Sequence, residues 1–261
     1  MALQKNQPPY ALLVDVTHCT GCERCVEACA RANSIDPELS DRDGALTPDG
    51  LSSNRLCTIV RTDDGHFMRK SCMHCLEPSC VAACLVGGLS KTPEGAVVYD
   101  ADACIGCRYC MLACPLHVPR YEWDATFPYM KKCTMCHDRL LSDLAPACVE
   151  ACTHDALQFG SRESMLRLAH RRILESPELY LDHVWGETEW GGASVLYISD
   201  VDLAPLGLGD TPATSVPSIT DPVIHTTPWV AGSVAVSMTA LSWIVRRRQR
   251  LMAGPECGSE D

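Results

Sequence analysis

The chain has 261 residues, enough for one large domain or two small ones with a real core. Its 22 basic and 33 acidic residues give a formal charge of −11, which excludes the basic footprint of a nucleic-acid binder. Eighteen cysteines against three Phe, seven Tyr and five Trp mean that something other than an aromatic core ties the chain together: disulfides, structural zinc or iron–sulfur clusters.

The opening Met1-Ala-Leu-Gln-Lys-Asn-Gln-Pro-Pro has no charged stretch followed by an apolar one, so no signal peptide is expected; a signal-bearing partner can still carry such a chain across a membrane. Ala11–Val16, Thr58–Arg61 and Ala96–Tyr99 read as strands, and Cys25–Ala32 and Cys80–Cys84 as short helices. The segment 36–53, rich in Asp, Pro, Gly and Ser, reads as a surface insertion. Apolar residues at 165, 166, 168, 169, 173 and 174 predict a helix over Arg162–Glu175, and alternation within 191–201 predicts a strand at Ser194-Val-Leu-Tyr-Ile. Residues 202–228 show no periodicity and read as a linker.

Trp229 to Val245 is a run of seventeen residues without a charge, followed directly by Arg246-Arg-Arg-Gln-Arg250. A buried core helix and a transmembrane helix both fit its length. Tryptophans near both ends, frequent small residues and the basic cluster favour the membrane. The positive-inside rule then puts the C-terminal tail, 246–261, in the cytoplasm and the cysteine-bearing part on the extracytoplasmic, periplasmic side.

The cysteines fall into four groups. Group one is Cys19-x₂-Cys22-x₂-Cys25-x₃-Cys29, and group two is Cys72-x₂-Cys75-x₄-Cys80-x₃-Cys84. Group three is Cys104-x₂-Cys107-x₂-Cys110-x₃-Cys114 followed by Pro115, and group four is Cys133-x₂-Cys136-x₁₁-Cys148-x₃-Cys152. The flanks repeat too. Asp15 and Asp100 each stand four residues before a first cysteine, Gly21 and Gly106 each sit inside a first CxxC, and Phe67-Met-Arg-Lys echoes Tyr129-Met-Lys-Lys. The order is A-B-A′-B′, a duplicated or interleaved unit.

C-x₂-C-x₂-C-x₃-C-P is the bacterial ferredoxin spacing, in which three close cysteines wrap one cubane and the fourth reaches its neighbour. Zinc ribbons do not need a third cysteine two residues on, and disulfides do not explain runs of three. Sixteen ligands make four 4Fe–4S clusters if each takes four. By analogy with the ferredoxin exchange, groups one and four swap last cysteines, as do groups two and three. Cluster a then takes Cys19, Cys22, Cys25 and Cys152, and cluster b takes Cys133, Cys136, Cys148 and Cys29. Cluster c takes Cys72, Cys75, Cys80 and Cys114, and cluster d takes Cys104, Cys107, Cys110 and Cys84.

Cys57 reads as a small buried hydrophobe and Cys257 as an idle thiol or a lipidation site. Arg69, Lys70, Lys131 and Lys132 precede CxxC pairs; raising a cluster potential and lying solvated or against an acidic partner are both open to them. His74 and His137 stand beside ligands, but a full set of sixteen cysteines leaves a Rieske-type centre unnecessary. No nucleophile–base pair is present, and the Gly87-Gly88 pair belongs to a ferredoxin turn rather than a nucleotide fingerprint.

With Cys72-Met-His-Cys-Leu-Glu-Pro-Ser-Cys80, Gly106-Cys-Arg-Tyr-Cys-Met-Leu-Ala-Cys-Pro115 and Pro146-Ala-Cys-Val-Glu-Ala-Cys152, the chain over residues 10–200 resembles the four-cluster electron-transfer subunits of membrane oxidoreductases. These serve formate dehydrogenases, nickel–iron hydrogenases, and the dimethyl sulfoxide, polysulfide and nitrate reductase relatives. The segment 186–201 resembles the region before the anchor in both the hydrogenase-2 type and the formate dehydrogenase beta subunit, and the stretch from Arg108 to Arg120 and the C-terminal anchor ending in an arginine cluster look closest to the hydrogenase-2 type. Leu85 and Thr153 stand where such subunits have prolines, and the twin-arginine signal of the hydrogenase relative is missing from the first residues.

The resemblance implies an α+β, duplicated ferredoxin-like fold of two interleaved two-cluster halves, with one C-terminal transmembrane helix. The expected domains are 8–201, with halves of approximately 10–65 plus 125–160, and 66–124; then a linker over 202–228, a helix over 229–245 and the tail. The implied role is non-catalytic. The chain would relay electrons between a hydrogenase or formate dehydrogenase catalytic subunit and an integral membrane quinone- or haem-binding subunit, held at the lipid and touching no nucleic acid. The alternatives are the iron–sulfur subunit of a quinol-dependent molybdenum reductase and a freestanding polyferredoxin.

Overall fold

Tyr10–Asp15 (β1) is buried along its whole length because both of its faces are covered. In the computed structural model, which describes residues 9–36, 38–40, 47–62, 64–123, 126, 128–209 and 211–252, β1 is the middle strand of a three-stranded sheet. Leu157–Ser161 (β8) pairs with it antiparallel, with Tyr10 opposite Ser161, and Val195–Ile198 (β9) pairs with it parallel, with Leu12 opposite Val195.

Strand alternation divides the interior in two. Ala11 and Leu13 face a core made with Met165, Ala169, Ile173, Tyr180, Leu196 and Ile198, which contains no cysteine. Leu12, Val14 and Val16 face the larger core, where Cys25, Cys29, Cys72 and Cys148 pack with Met68, Met73 and Tyr197. The first core is closed by a helix at Arg162–Glu175, whose N-cap Ser161 accepts the Ser164 N–H and whose buried face repeats every four residues through Met165, Ala169 and Ile173.

The cysteine side is made of short pieces. Three two-stranded hairpins pair Thr58–Arg61 (β2) with Phe67–Lys70 (β3), Leu89–Lys91 (β4) with Val97–Tyr99 (β5), and Arg120–Tyr121 (β6) with Met130–Lys131 (β7). Helices are α1 (Arg24–Ala32), α2 (Ser79–Ala82), α3 (Tyr109–Ala113), α4 (His137–Leu141) and α5 (Ala147–Glu150), with α6 at Arg162–Glu175. All but α6 are too short to persist alone and depend on tertiary ties. α1 packs on α5, and α2 packs on α3.

Val216–Met252 forms α7, a single helix of 37 residues. The chain divides after Pro217, and α7 is what the second unit contains among the described residues. It is the one helix among them long and apolar enough to cross a membrane, by length and composition. Hydroxyls of Thr226, Thr227, Ser233, Ser237 and Thr239 donate to carbonyls of their own helix, so these polar groups need no outside partner.

Two expectations need correction. Residues 202–228 are not a featureless linker: Leu203, Leu206 and Leu208 are buried in the cysteine-side core around a 3₁₀ turn at Ala204–Leu206, and 216–228 are helical. Prolines hid the helix, because Pro222 and Pro228 stand inside it, where proline is ordinarily read as a stop. The segment 36–53 is not wholly superficial either. Leu51 is buried in the core, and Asp49 ion-pairs with Lys70 at 3.3 Å and with Arg120. Cys257 lies outside the described residues.

Candidate metal centres

Each of the four groups begins with the same local geometry. The residue before the second cysteine is left-handed in every case: Gly21 (φ 70°), His74 (φ 50°), Gly106 (φ 71°) and Met135 (φ 57°). That conformation turns the backbone N–H of this residue back onto the first cysteine. Gly106 N–H donates to Cys104 Sγ and Met135 N–H to Cys133 Sγ, each at 3.4 Å, and the Gly21 and His74 amides do the same for Cys19 and Cys72. Glycine takes the conformation without cost; His74 and Met135 hold it against their side chains, which marks a loop fixed by its surroundings. Left-handed Glu23 and Arg108 then start α1 and α3 immediately after Cys22 and Cys107.

The cysteines converge in four sets. Cys19, Cys22, Cys25 and Cys152 line one cavity, together with Val14, Ile59 and Arg69. Cys29, Cys133, Cys136 and Cys148 line a second, with Arg69, Ser71 and His74. Cys72, Cys75, Cys80 and Cys114 lie close enough to oppose one another's ionisation. Cys110 is affected in the same way by Cys104, Cys107 and Cys84. The helix pairs explain the mixing of groups: α5, carrying Cys148, lies on α1, carrying Cys25 and Cys29, and α2, carrying Cys80, lies on α3, carrying Cys110.

Some of the sets also adjoin one another. Cys25 and Cys148, from the first and second, both sense Arg69 and Cys57. Cys72 of the third senses Cys133 of the second. Cys22 and Cys107 are the exposed members, one in the first set and one in the fourth; the other fourteen are buried or half-buried.

Burial pushes the thiols of Cys25, Cys75, Cys80 and Cys148 up to about 12, with neighbouring cysteines adding to the shift at each. Such thiols are inert to solvent chemistry, and a metal that binds them must displace their protons. Among the described residues there is no disulfide, and no three His, Cys, Asp or Glu side chains converge on a single-ion position. Cysteines brought together in fours fit a cubane, whose four iron corners each take one thiolate, without needing all four sulfurs on a single ion. Two buried nitrogens point to the same kind of occupant: Arg69 Nε and His74 Nε2 have no hydrogen-bond partner among the described residues, and both residues line the cavity of Cys29, Cys133, Cys136 and Cys148.

The basic residues before the CxxC pairs part company. Lys70 pairs with Asp49 at 3.3 Å, and exposed Lys131 pairs with Glu122 at 3.4 Å. Arg69 is buried, with Nη1 donating to Ser71 Oγ at 2.7 Å and Nη2 lying 3.7 Å from Cys148 Sγ. Lys132 is buried too, donating to the carbonyls of Val97 and Cys133 and offsetting part of the upward shift that burial gives the Cys72 and Cys80 thiols. His137 pairs with Glu94 at 3.2 Å. At the proline departures, Leu85 is exposed and Thr153 accepts from Arg24 at 3.2 Å.

Sequence reasoning missed several members. Cys57 is buried as expected, yet its Sγ is 3.8 Å from the Cys25 carbonyl and it hydrogen-bonds with the Cys29 thiol. Tyr99 and Tyr121 hydroxyls reach Cys104 and Cys110. Nothing in the spacing signals these partners, because hairpins from distant parts of the chain deliver them.

A comparison with known families matches residues 64–162 to the 4Fe-4S dicluster domain. Across 86% of its length the chain is 32% identical to the hydrogenase-2 operon protein HybA of Escherichia coli O157:H7, covering 81% of that protein. It is 34% identical to the iron-sulfur subunit of formate dehydrogenase-O of Escherichia coli K12 over 74% of the chain and 67% of that subunit. It is 37% identical to the B subunit of the anaerobic dimethyl sulfoxide reductase of the same strain over 58% of the chain and 73% of the relative. The chain belongs to the family of 4Fe–4S iron–sulfur subunits. Its domain is ferredoxin-like with mixed helices and strands, and the family's cofactor fits what the four loops present.

Proposed function

We infer that the chain is a non-catalytic electron-transfer subunit holding four 4Fe–4S clusters, on the ligand sets a, b, c and d. The observation that carries this is that cysteines from different groups come together in fours, with Cys22 and Cys107 exposed and the other fourteen buried or half-buried. A bound 4Fe–4S cluster exchanges one electron at a time without making or breaking substrate bonds. The protein's part is to fix the sulfurs, exclude water and set the electrostatics around each cavity. Burial of Cys25, Cys29, Cys72, Cys110 and Cys148 keeps the interior dry. Exposure of Cys22 and Cys107 gives electrons a way in and a way out.

Helix pairing α1–α5 and α2–α3 supports the two interleaved halves, 10–65 with 125–160 and 66–124, as products of duplication. The repeated left-handed residue in all four loops supports the same origin. We place a hydrogenase or formate dehydrogenase catalytic subunit at one end and a membrane quinone- or haem-binding subunit at the other. α7 is the anchor, with its arginine cluster in the cytoplasm and the cysteine domain on the opposite face of the membrane. Similarity to the dimethyl sulfoxide reductase B subunit supports a second reading, in which electrons run from quinol to a molybdenum reductase.

The test is the anaerobically purified complex. Iron analysis should return about 16 iron and 16 sulfide per chain, and the co-purifying large subunit should carry nickel, or molybdenum or tungsten. About 8 iron per chain would reject the four-cluster assignment. Reduction of a terminal acceptor with quinol, and no oxidation of hydrogen or formate, would favour the second reading.

A further inference from the structure

The two orphaned nitrogens are the most informative polar atoms in the domain. Val97 N–H donates to His74 Nδ1 at 2.8 Å, so Nδ1 is the acceptor and the neutral ring carries its proton on Nε2. That Nε2–H is buried and unpaired, as is the Nε–H of Arg69. A buried donor left unpaired costs about 1–3 kcal/mol, and two beside one cavity call for a common acceptor. Both are held rigidly. Lys91 Nζ donates to the His74 carbonyl at 2.7 Å, the Tyr197 hydroxyl donates to the Arg69 carbonyl at 2.8 Å, and Ser71 fixes one arm of the guanidinium.

We propose that Arg69 and His74 donate hydrogen bonds to the sulfurs of the cluster held by Cys29, Cys133, Cys136 and Cys148, and make it the highest-potential cluster of the four. This rests on the four-cluster reading of the chain. Adding an electron makes the cluster more negative, so donors and a fixed positive charge stabilise the reduced form and raise the potential. Arg69 supplies charge as well as a donor, and it also lines the cavity of Cys19, Cys22, Cys25 and Cys152, so that cluster gains the charge alone. No carboxylate pairs with Arg69 among the described residues; the partners of its guanidinium are Ser71, Cys148 and the Cys57 thiol. The remaining two sets are served by Lys132 and by tyrosine hydroxyls. An internal high-potential site holds an electron between the two exposed ends and delays its return to the donor.

The experiment is a redox titration of the intact complex followed by electron paramagnetic resonance. The signal of this cluster is assigned by its change in Cys148→Ser. His74→Asn keeps an acceptor for Val97 N–H and withdraws the far donor; His74→Gln returns a nitrogen near the Nε2 position. His74→Asn should weaken reduction of this cluster about tenfold, about 59 mV for one electron, leave the other three in place, and be largely reversed in His74→Gln. Arg69→Met should lower this cluster and the one on Cys19, Cys22, Cys25 and Cys152 together, and Arg69→Lys should restore the second more than the first. Lys70→Met, which removes a charge already paired with Asp49, should move neither. Full iron with no shift in His74→Asn overturns this inference and leaves the four-cluster reading intact, whereas a low iron count in the unaltered complex overturns that reading first. A shift confined to the cluster on Cys72, Cys75, Cys80 and Cys114 also overturns it. If the variants lose iron, electron–nuclear double resonance on the unaltered complex with 15N-histidine decides: a nitrogen coupling on the assigned signal upholds the inference, and its absence rejects it.

Discussion

At the scale of single residues, the cysteine loops turn on a backbone angle as much as on sulfur. Gly21 and Gly106 occupy the same place in groups one and three with nearly the same φ, yet their surroundings differ. A Cβ on Gly21 would fall on the Phe67 ring, whereas a Cβ on Gly106 would meet nothing within 4 Å. Gly106→Ala should therefore cost about 1 kcal/mol of left-handed strain and keep its iron. Gly21→Ala adds a ring that must swing away, and should release the nearest cluster, about four irons per chain. Iron analysis with visible absorbance on both variants checks this; equal retention would mean that the Phe67 contact does not matter. The glycines were legible in the sequence because their permissiveness is a known signal. His74 and Met135 were not, since bulky residues at positive φ run against every local preference. The same limit applied to the basic pairs. Adjacent basic residues before a cysteine look alike in sequence, and only strand direction sends Arg69 and Lys132 inward while Lys70 and Lys131 meet Asp49 and Glu122.

At the scale of elements, Asp15 shows what a repeat can conceal. Its position four residues before Cys19 matches Asp100 before Cys104, and the flanks read as equivalent. Asp100 is exposed and accepts the Asp102 N–H of its own turn at 2.9 Å. Asp15 is buried at the end of β1 and accepts from Arg172 Nη1 at 2.6 Å, the Tyr180 hydroxyl at 2.9 Å and the Thr17 hydroxyl at 2.6 Å. It thereby ties α6 and the following turn to the strand that leads into the first cysteine loop. Removing one partner of a buried pair leaves a charge with too few counterparts. Arg172→Met should destabilise the domain by about 2 kcal/mol, less than a fully buried pair, because Arg172 is partly exposed and two hydroxyls remain. Asp15→Asn combined with Arg172→Met should cost less than the sum of the single changes. Denaturant unfolding of the four proteins measures this, and strict additivity would show that the two side chains do not act as a pair. The helix α6 itself was legible from its periodicity. The clasp was not, because its partners are 157 and 165 residues away in sequence.

At the scale of the whole molecule, one strand separates two kinds of interior. On the α6 side of β1 the core is aliphatic with Tyr180; on the other side it is built around cysteines. The cysteine spacing made the second interior legible at once, whereas the packing of Leu203, Leu206 and Leu208 against it was hidden by a segment whose composition reads as linker. That packing moves the boundary of the anchor. The division of the chain falls at Pro217, not at the start of the uncharged run at Trp229, and the helix begins at Val216. A chain ending at Pro217 retains every buried leucine of 203–208 and the Ser215 hydroxyl bond to Glu77, and loses only residues 218–261. It should keep its full iron content and leave the membrane fraction for the soluble one. A chain cut at 201 loses three buried leucines, at about 2 kcal/mol of burial each, and should lose iron as well. Fractionation by ultracentrifugation with iron analysis of both chains separates the roles. If the chain ending at Pro217 stays with the membranes, attachment comes from the partner subunits rather than from α7; if the full chain is already soluble, α7 is no anchor.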